Sequence, residues 1–264
     1  MTAIFDRVGT SYRATEAAGG PWSPSMAQGS ATTALMAREV EAFAAEGRLA
    51  VRRLTFDLWR PASITDLAID VRVKRDGRKA KTIEIGLSDG TAEVARCTAL
   101  VVAPGTESPP LPGAAPQSDP GPETGAPPPA FAQNWSRYFR HVAVRLIEGA
   151  LERPGPAAAW MRLDVPLVAG GTNSPLVQAV QAADFASGVS QIVDMREWSF
   201  INPEISIAFL RAPRDEWILV RARTQVGEAG AGLTTATLSD RSGPFAEVSQ
   251  TILFERRAAQ PARR

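Results

Sequence analysis

One cysteine and one histidine serve the whole 264-residue chain. Cys97 therefore has no partner for an internal disulfide, and no Cys/His cluster exists to hold zinc. It sits in Ala-Arg-Cys-Thr-Ala-Leu-Val-Val (95–102), a strand-like run, so a buried, inert thiol is expected rather than a nucleophile. His141 lies in Phe-Arg-His-Val-Ala-Val-Arg-Leu (139–146), also strand-like. A Ser-His-Asp triad built on it would need a nucleophile elbow, and the sequence has no Gly-x-Ser-x-Gly. Enzyme chemistry, if any, is expected to proceed without histidine. Charge of one sign is also scarce: the net charge is +1, which leaves no electrostatic footprint for nucleic acid or an anionic surface. No apolar run approaches the roughly 20 residues of a membrane span. The first residues, Met1-Thr2-Ala3-Ile4-Phe5-Asp6-Arg7, lack the basic and apolar regions of a signal peptide, so a cytoplasmic location is the expectation.

What the chain does have is repetition. Phe-Asp-Leu-Trp-Arg-Pro (56–61) and Ile-Ala-Phe-Leu-Arg-Ala-Pro (207–213) each place an arginine, Arg60 or Arg211, after an apolar run. Leu87-Ser88-Asp89 recurs as Leu238-Ser239-Asp240 at the same offset of 151 residues. Ala92-Glu93-Val94 recurs as Ala246-Glu247-Val248, three residues later, as a longer turn would give. The unit is too long and the copies too few for a solenoid. Two similar domains fused in one chain are expected, and apolar content of 44% with 22% charge suits a soluble globular protein of that size.

Ten of the 21 prolines fall between Pro104 and Pro129. Such a stretch sustains neither helix nor ladder, so residues 104–133 are expected to be a linker and a plain tether. It separates an N-terminal domain at 1–103 from a C-terminal domain at 134–264. Extended as polyproline II, the run from Pro104 to Pro129 reaches roughly 80 Å at ~3.1 Å per residue.

Each half shows one principal helix followed by a meander. In the first half Ser30 is expected to cap a helix over 31–46, closed by Gly47. Strands follow at 53–59, 67–74, 83–87 and 92–103, with Asp76-Gly77 and Asp89-Gly90 as turn signals. The second half opens with strands at 138–147 and 158–165. A helix then starts at Ser174-Pro175 and runs to about Gly188. Strands at 205–210, 216–224, 232–238 and 245–255 complete the chain. Helix followed by antiparallel strands argues α+β, with the helix on one face of the sheet.

Two polar residues stand out on apolar faces. Leu176, Val180 and Asp184 occur at i, i+4 and i+8, so Asp184 points where the sheet must be. Val248, Gln250, Ile252 and Phe254 alternate at a spacing of two, so Gln250 shares their inward face. A buried hydrogen bond that only fixes packing is one reading; a polar site is the other. At the Ala-Glu-Val offset Gln250 corresponds to Arg96, and no carboxylate lies on the Leu35–Val40 face of the first helix. The halves therefore differ at these positions, as expected if one half keeps the chemistry.

The chain resembles a known family at this point. The matching stretches are Gly-Gly-Pro-Trp-Ser-Pro (19–24) with Gln28-Gly29-Ser30, Leu-Trp-Arg-Pro (58–61), Ala-Ala-Asp-Phe-Ala-Ser-Gly (182–188), Asn-Pro-Glu-Ile-Ser-Ile-Ala-Phe-Leu-Arg (202–211) and Val248-Ser249-Gln250. They are similar to thioesterases of the acyl-CoA thioesterase II type, which carry the double hotdog fold. The resemblance implies a continuous antiparallel sheet wrapped around two central helices. It implies hydrolysis of acyl-CoA by a water that an Asp, a Thr or Ser, and a Gln activate together. The Asp falls on Asp184, the Gln on Gln250, and the hydroxyl position at or near Asn202, which has no hydroxyl.

An acyl-CoA substrate is the partner implied, with no metal or redox cofactor. Association of double hotdogs into a homo-oligomer stays open. Asp184 acts either as general base or as nucleophile. A non-catalytic acyl-CoA or lipid-binding protein is the competing function. A hydratase on the same fold would need a His beside a helical acid, and His141 sits on an expected strand. Asn202-Pro203 also reads as an ordinary turn.

Overall fold

The structure, a computed structural model, describes residues 2–90, 92–107, 109 and 119–257. Strands β1 (Phe5–Val8) and β2 (Ser11–Ala14) form a hairpin ahead of helix α1 (Gly29–Glu46). Strands β3 (Ala50–Leu58), β4 (Asp66–Asp76), β5 (Ala80–Ser88) and β6 (Glu93–Val102) follow. The second half holds β7 (Val142–Glu148), β8 (Ala157–Leu163), α2 (Pro175–Asp184) and the short α3 (Ala186–Val189). It ends with β9 (Trp198–Phe209), β10 (Ile218–Val226), β11 (Ala231–Asp240) and β12 (Gly243–Arg256). The twelve strands make one sheet in the order β1-β2-β4-β5-β6-β3-β9-β12-β11-β10-β8-β7, every neighbouring pair antiparallel. This is the double hotdog.

The halves meet at β3 and β9, where Thr55 stands opposite Ser206 and their hydroxyls lie 3.3 Å apart. These two residues are separated by 151 positions, the offset of the sequence repeat. The pseudo-twofold axis therefore passes through this pair. The offset holds in the next strands out: Thr55 pairs with Thr98, and Ser206 with Ser249. Leu54 pairs with Ala99, and Ile205 with Gln250, so the counterpart of Gln250 is Ala99. The Arg96 correspondence is thereby corrected. The Ala-Glu-Val match at the longer offset is a coincidence of short motifs; Glu93 and Pro244 occupy equivalent places opposite Ser88 and Ser239.

Helix α1 packs on β3, β5 and β6, α2 packs on β8, β10 and β11, and the helices touch each other. Leu35, Met36 and Val40 are buried on α1, as are Leu176, Val177 and Val180 on α2. Each such side chain contributes about 1.5–3 kcal/mol by leaving water. Ala31, Ala34 and Ala37, with Ala179, Ala182 and Ala183, are fully buried and supply the small surfaces that let two helices share the space under one sheet. The main apolar core runs through both halves.

Three expectations about elements need correction. The hairpin β1–β2 was not anticipated: β1 buries only Phe5, too little for a periodic signal. Helix α1 begins at Gly29, so Ser30 lies inside its first turn, and its N-cap Gln28 makes no side-chain cap. The strand expected from Tyr138 begins at Val142, because residues Phe139–His141 form a 3-10 turn.

The Pro-rich segment does more than tether. Residues 108 and 110–118 lie outside the described part, and with them much of the expected extended run. From Asp119 onward the chain packs on the second half. The Pro120 carbonyl accepts from the Trp160 indole at 2.8 Å, covering an outer apolar cluster of Ala158, Trp160 and Leu219. Ala126 exchanges both backbone hydrogen bonds with Leu146, each at 2.8 Å.

Candidate active site

Asp184 is the last residue of α2. Ser174 fixes the helix phase: its side chain accepts from the Val177 N–H, with Pro175 at the first helical position. Packing of Leu176 and Val180 then carries Asp184 inward, where it is 7% exposed. Two side chains from distant parts of the chain donate to its carboxylate. The Ser30 hydroxyl donates to Oδ2 at 2.6 Å, and the Asn202 amide donates to Oδ1 at 2.9 Å.

Asn202 is not in a turn before a strand; it lies within β9, at a bulge. Thr251 pairs with Glu204 and Leu253 with Ile201, so Asn202 and Pro203 together oppose Ile252. A bulge is where a sheet tolerates proline, which has no N–H for the ladder. The extra residue also changes the alternation. Phe200 and Ile205 are both buried although an odd number of positions separates them. Asn202 can thus face the helices together with Ile205 and Ile207.

Gln250 is fully buried on β12, as its spacing indicates. Its amide donates to the Ala183 carbonyl at 2.8 Å and to the Asp184 backbone carbonyl at 3.3 Å. It therefore holds the end of α2, adding a side-chain donor where the Phe185 N–H also caps the last turn. Its Oε1 is buried with no protein partner among the described residues, and so is the Tyr138 hydroxyl. The Tyr138 ring stacks on Phe185, the residue after Asp184, with centroids 6.2 Å apart.

Burial raises the Asp184 pKa above the usual aspartate value, against hydrogen bonds from Ser30, Asn202 and Gln28 that favour the carboxylate. Burial, and then the Asp184 charge, push the Tyr138 phenol well upward, so it stays protonated and can only donate or accept as a neutral group. Burial also pushes the Cys97 thiol far above its ordinary value, in keeping with an inert core cysteine. Burial lowers the His141 pKa, and no hydrogen bond to Asp184 involves it.

A cleft of about 170 Å³ opens over Asn202 and Gly29. Its mouth carries Trp22, Trp59 and Arg60. Gly29 leaves room here: a Cβ on it would stand 3.0 Å from Asp184 Oδ1 and 3.2 Å from Oδ2, closer than ordinary contact. The bare backbone lets the start of α1 approach the carboxylate, and α1 brings the positive end of its dipole with it.

A family model described as the acyl-CoA thioesterase N-terminal domain matches residues 18–102, and one described as the C-terminal domain matches residues 108–254. The chain belongs to the acyl-CoA thioesterase family. A comparison with curated protein sequences gives no match. Among solved structures, a hot dog fold protein of unknown function from Alicyclobacillus acidocaldarius is 18% identical with a TM-score of 0.73, over 97% of this chain and 96% of that one. The acyl-CoA thioesterase II TesB2 from Mycobacterium marinum is 15% identical with a TM-score of 0.65, over 96% of both chains. These likenesses establish the fold, and the family establishes thioester hydrolysis as the type of activity.

Within this thioesterase, Asp184 and Asn202 meet as expected, while Gln250 reaches the helix end rather than the carboxylate. Ser30 is the residue that sequence reasoning missed. It sits in Gln28-Gly29-Ser30, a stretch that resembles the family, but its serine reads as a helix cap. Among the described residues no group of three or more His, Cys, Asp or Glu gathers as a metal site, and no helix is long and apolar enough to cross a membrane.

Proposed function

We propose that the chain hydrolyses acyl-CoA thioesters, with Asp184 as general base toward a water. The observation that carries this reading is the Asp184 carboxylate, almost buried yet held by Ser30 and Asn202 beside a cleft. Ser30 and Asn202 fix its orientation. Water attacks the thioester carbonyl carbon as Asp184 takes its proton. The tetrahedral intermediate collapses, the carbon–sulfur bond breaks, and the proton passes from Asp184 to the departing thiolate. Free acid and CoA result. The Gly29 N–H, at the positive end of the α1 dipole and lining the cleft, is the donor for the oxyanion. Gln250 acts by holding the end of α2. Ser30 supplies the hydroxyl that position 202 lacks.

CoA suits the mouth of the cleft. Trp22 and Trp59 are 46% and 53% exposed, and Arg257 and Arg96 lie over their rings. Exposed indoles stack on a purine, and Arg60 beside them pairs with phosphate. Thiol release from acyl-CoA by wild type and Asp184→Asn tests the proposal. A general base is worth about 10²–10⁴-fold, so Asp184→Asn is expected to lose at least ~10²-fold in turnover while folding normally. Turnover by a folded Asp184→Asn protein at the wild-type rate would reject the role.

A further inference from the structure

A second pocket is lined by residues close in sequence to the Asp184 cluster. Gly188 stands one helical turn beyond Asp184, and Phe200 two residues before Asn202; both line this pocket. Phe131 from the interdomain segment and Trp135 just after it form another wall, with Leu151 and Met195 completing it. Its volume is about 210 Å³ and its surface almost wholly apolar. An apolar cavity of roughly 150 Å³ accepts one benzene molecule.

The wall is fixed in place. A Cβ on Gly188 would fall 2.6 Å from Trp135 Cη2, so the indole rests directly on bare helix backbone. Trp135 packs on Phe139 at 5.6 Å, and Phe139 meets Phe185 edge-on at 5.3 Å. Phe185 follows Asp184 in sequence. An aromatic chain thus runs from the carboxylate to the pocket wall.

We infer that this pocket takes the distal end of the acyl group, and that it selects hexanoyl, octanoyl or phenylacetyl thioesters over long fatty acyl chains. The inference rests on the proposed hydrolysis, because the thioester carbonyl must sit at Asp184 for its chain to enter here. CoA then occupies the cleft on the Asn202 side and the acyl end the pocket on the Phe200 side of the same strand. The end of the interdomain segment becomes a specificity element, since it supplies Phe131 and leads directly into Trp135.

The test is kcat/KM of the full chain on acetyl-, hexanoyl-, octanoyl-, phenylacetyl-, dodecanoyl- and palmitoyl-CoA. Binding of the same series to Asp184→Asn is measured by calorimetry. Wild type is expected to prefer the middle of the series, with palmitoyl at least about tenfold poorer, given what a misfitting methylene costs in an apolar pocket. Trp135→Ala opens the wall and should shift the preference toward dodecanoyl. Leu151→Trp, in a loop, fills it and should lower octanoyl relative to acetyl by about tenfold. If Trp135→Ala fails to fold, Met195→Ala opens the same wall. A wild-type preference for palmitoyl, or an unchanged preference in folded opening and filling variants, overturns the inference. If no thioester is turned over, hydrolysis fails as a reading, and the binding series still decides the pocket.

Discussion

Asp184 is pulled two ways. Burial favours its neutral form, and catalysis as a base needs the charged one. Ser30, Asn202 and Gln28 offset part of the burial, but the pKa stays above the ordinary aspartate value. An acid whose pKa rises on folding favours the folded state most when protonated. That contribution is complete below the unfolded-chain value and is lost as pH climbs through the raised value. Asp184→Asn has no charge to bury. Wild type should therefore lose thermal stability relative to Asp184→Asn as pH rises toward neutrality, and the gap should close in acid. Thermal midpoints of both proteins across a pH series measure this, and a gap that widens in acid would contradict it. The activity of wild type should fall in acid at a pH above that of an ordinary aspartate. Asp184 and Gln250 were legible in the sequence because helical and strand periods place them on apolar faces. Ser30 was not, since its partner lies 154 positions away and no local pattern reports a tertiary hydrogen bond.

Among the elements, the strand ends after the arginines of the repeat have diverged. Arg211, just past β9, makes a bidentate pair with Asp240 at the end of β11, both contacts at 2.7 Å. Asp240 also accepts from the Arg214 and Ser242 backbone N–H groups. Burial alone would raise the Asp240 pKa; these hydrogen bonds outweigh it, and the net direction is down. In the first half Arg60 instead reaches the Glu93 carbonyl at 3.5 Å. The pair clasps β9 to the β11–β12 hairpin and so steadies the strand that carries Asn202. Asp240→Ala strands a half-buried guanidinium and should cost about 3 kcal/mol at neutral pH, the low end for a broken buried pair. The lowered pKa means this stability is present above the unfolded-chain value and lost as pH falls through the folded one. Denaturant midpoints of wild type and Asp240→Ala should therefore converge in acid; equal midpoints at neutral pH would remove the clasp. The central strands were readable because each alternates over most of its length. The bulge at Asn202 was not, because an extra residue breaks the period that such a reading uses.

At the scale of the molecule, the chain covers its own sheet edges. On one side, β1 bridges to the segment after β8: Phe5 N–H donates to the Leu167 carbonyl at 2.9 Å, and Ala169 N–H to the Phe5 carbonyl at 2.9 Å. On the other, Ala126 pairs with Leu146 on β7. Bare edges invite pairing with other chains, and each is bridged at one residue here. The first bridge also joins the start of the N-terminal half to the C-terminal half, so the halves are tied at the central β3–β9 seam and again at the rim. The core is shared as well, and Ser30 of one half holds Asp184 of the other. Two fused domains with a thin interface would unfold in two steps. This arrangement predicts one. Tryptophan fluorescence, far-UV circular dichroism and thiol-release activity should lose their signals at a single denaturant midpoint. Ser206→Pro, at the seam, removes a ladder hydrogen bond from a central strand and should lower that midpoint for all three probes together. Loss of activity well before either optical signal, or two resolved optical transitions, would mean that the halves fold as separate units and that the seam carries little of their stability.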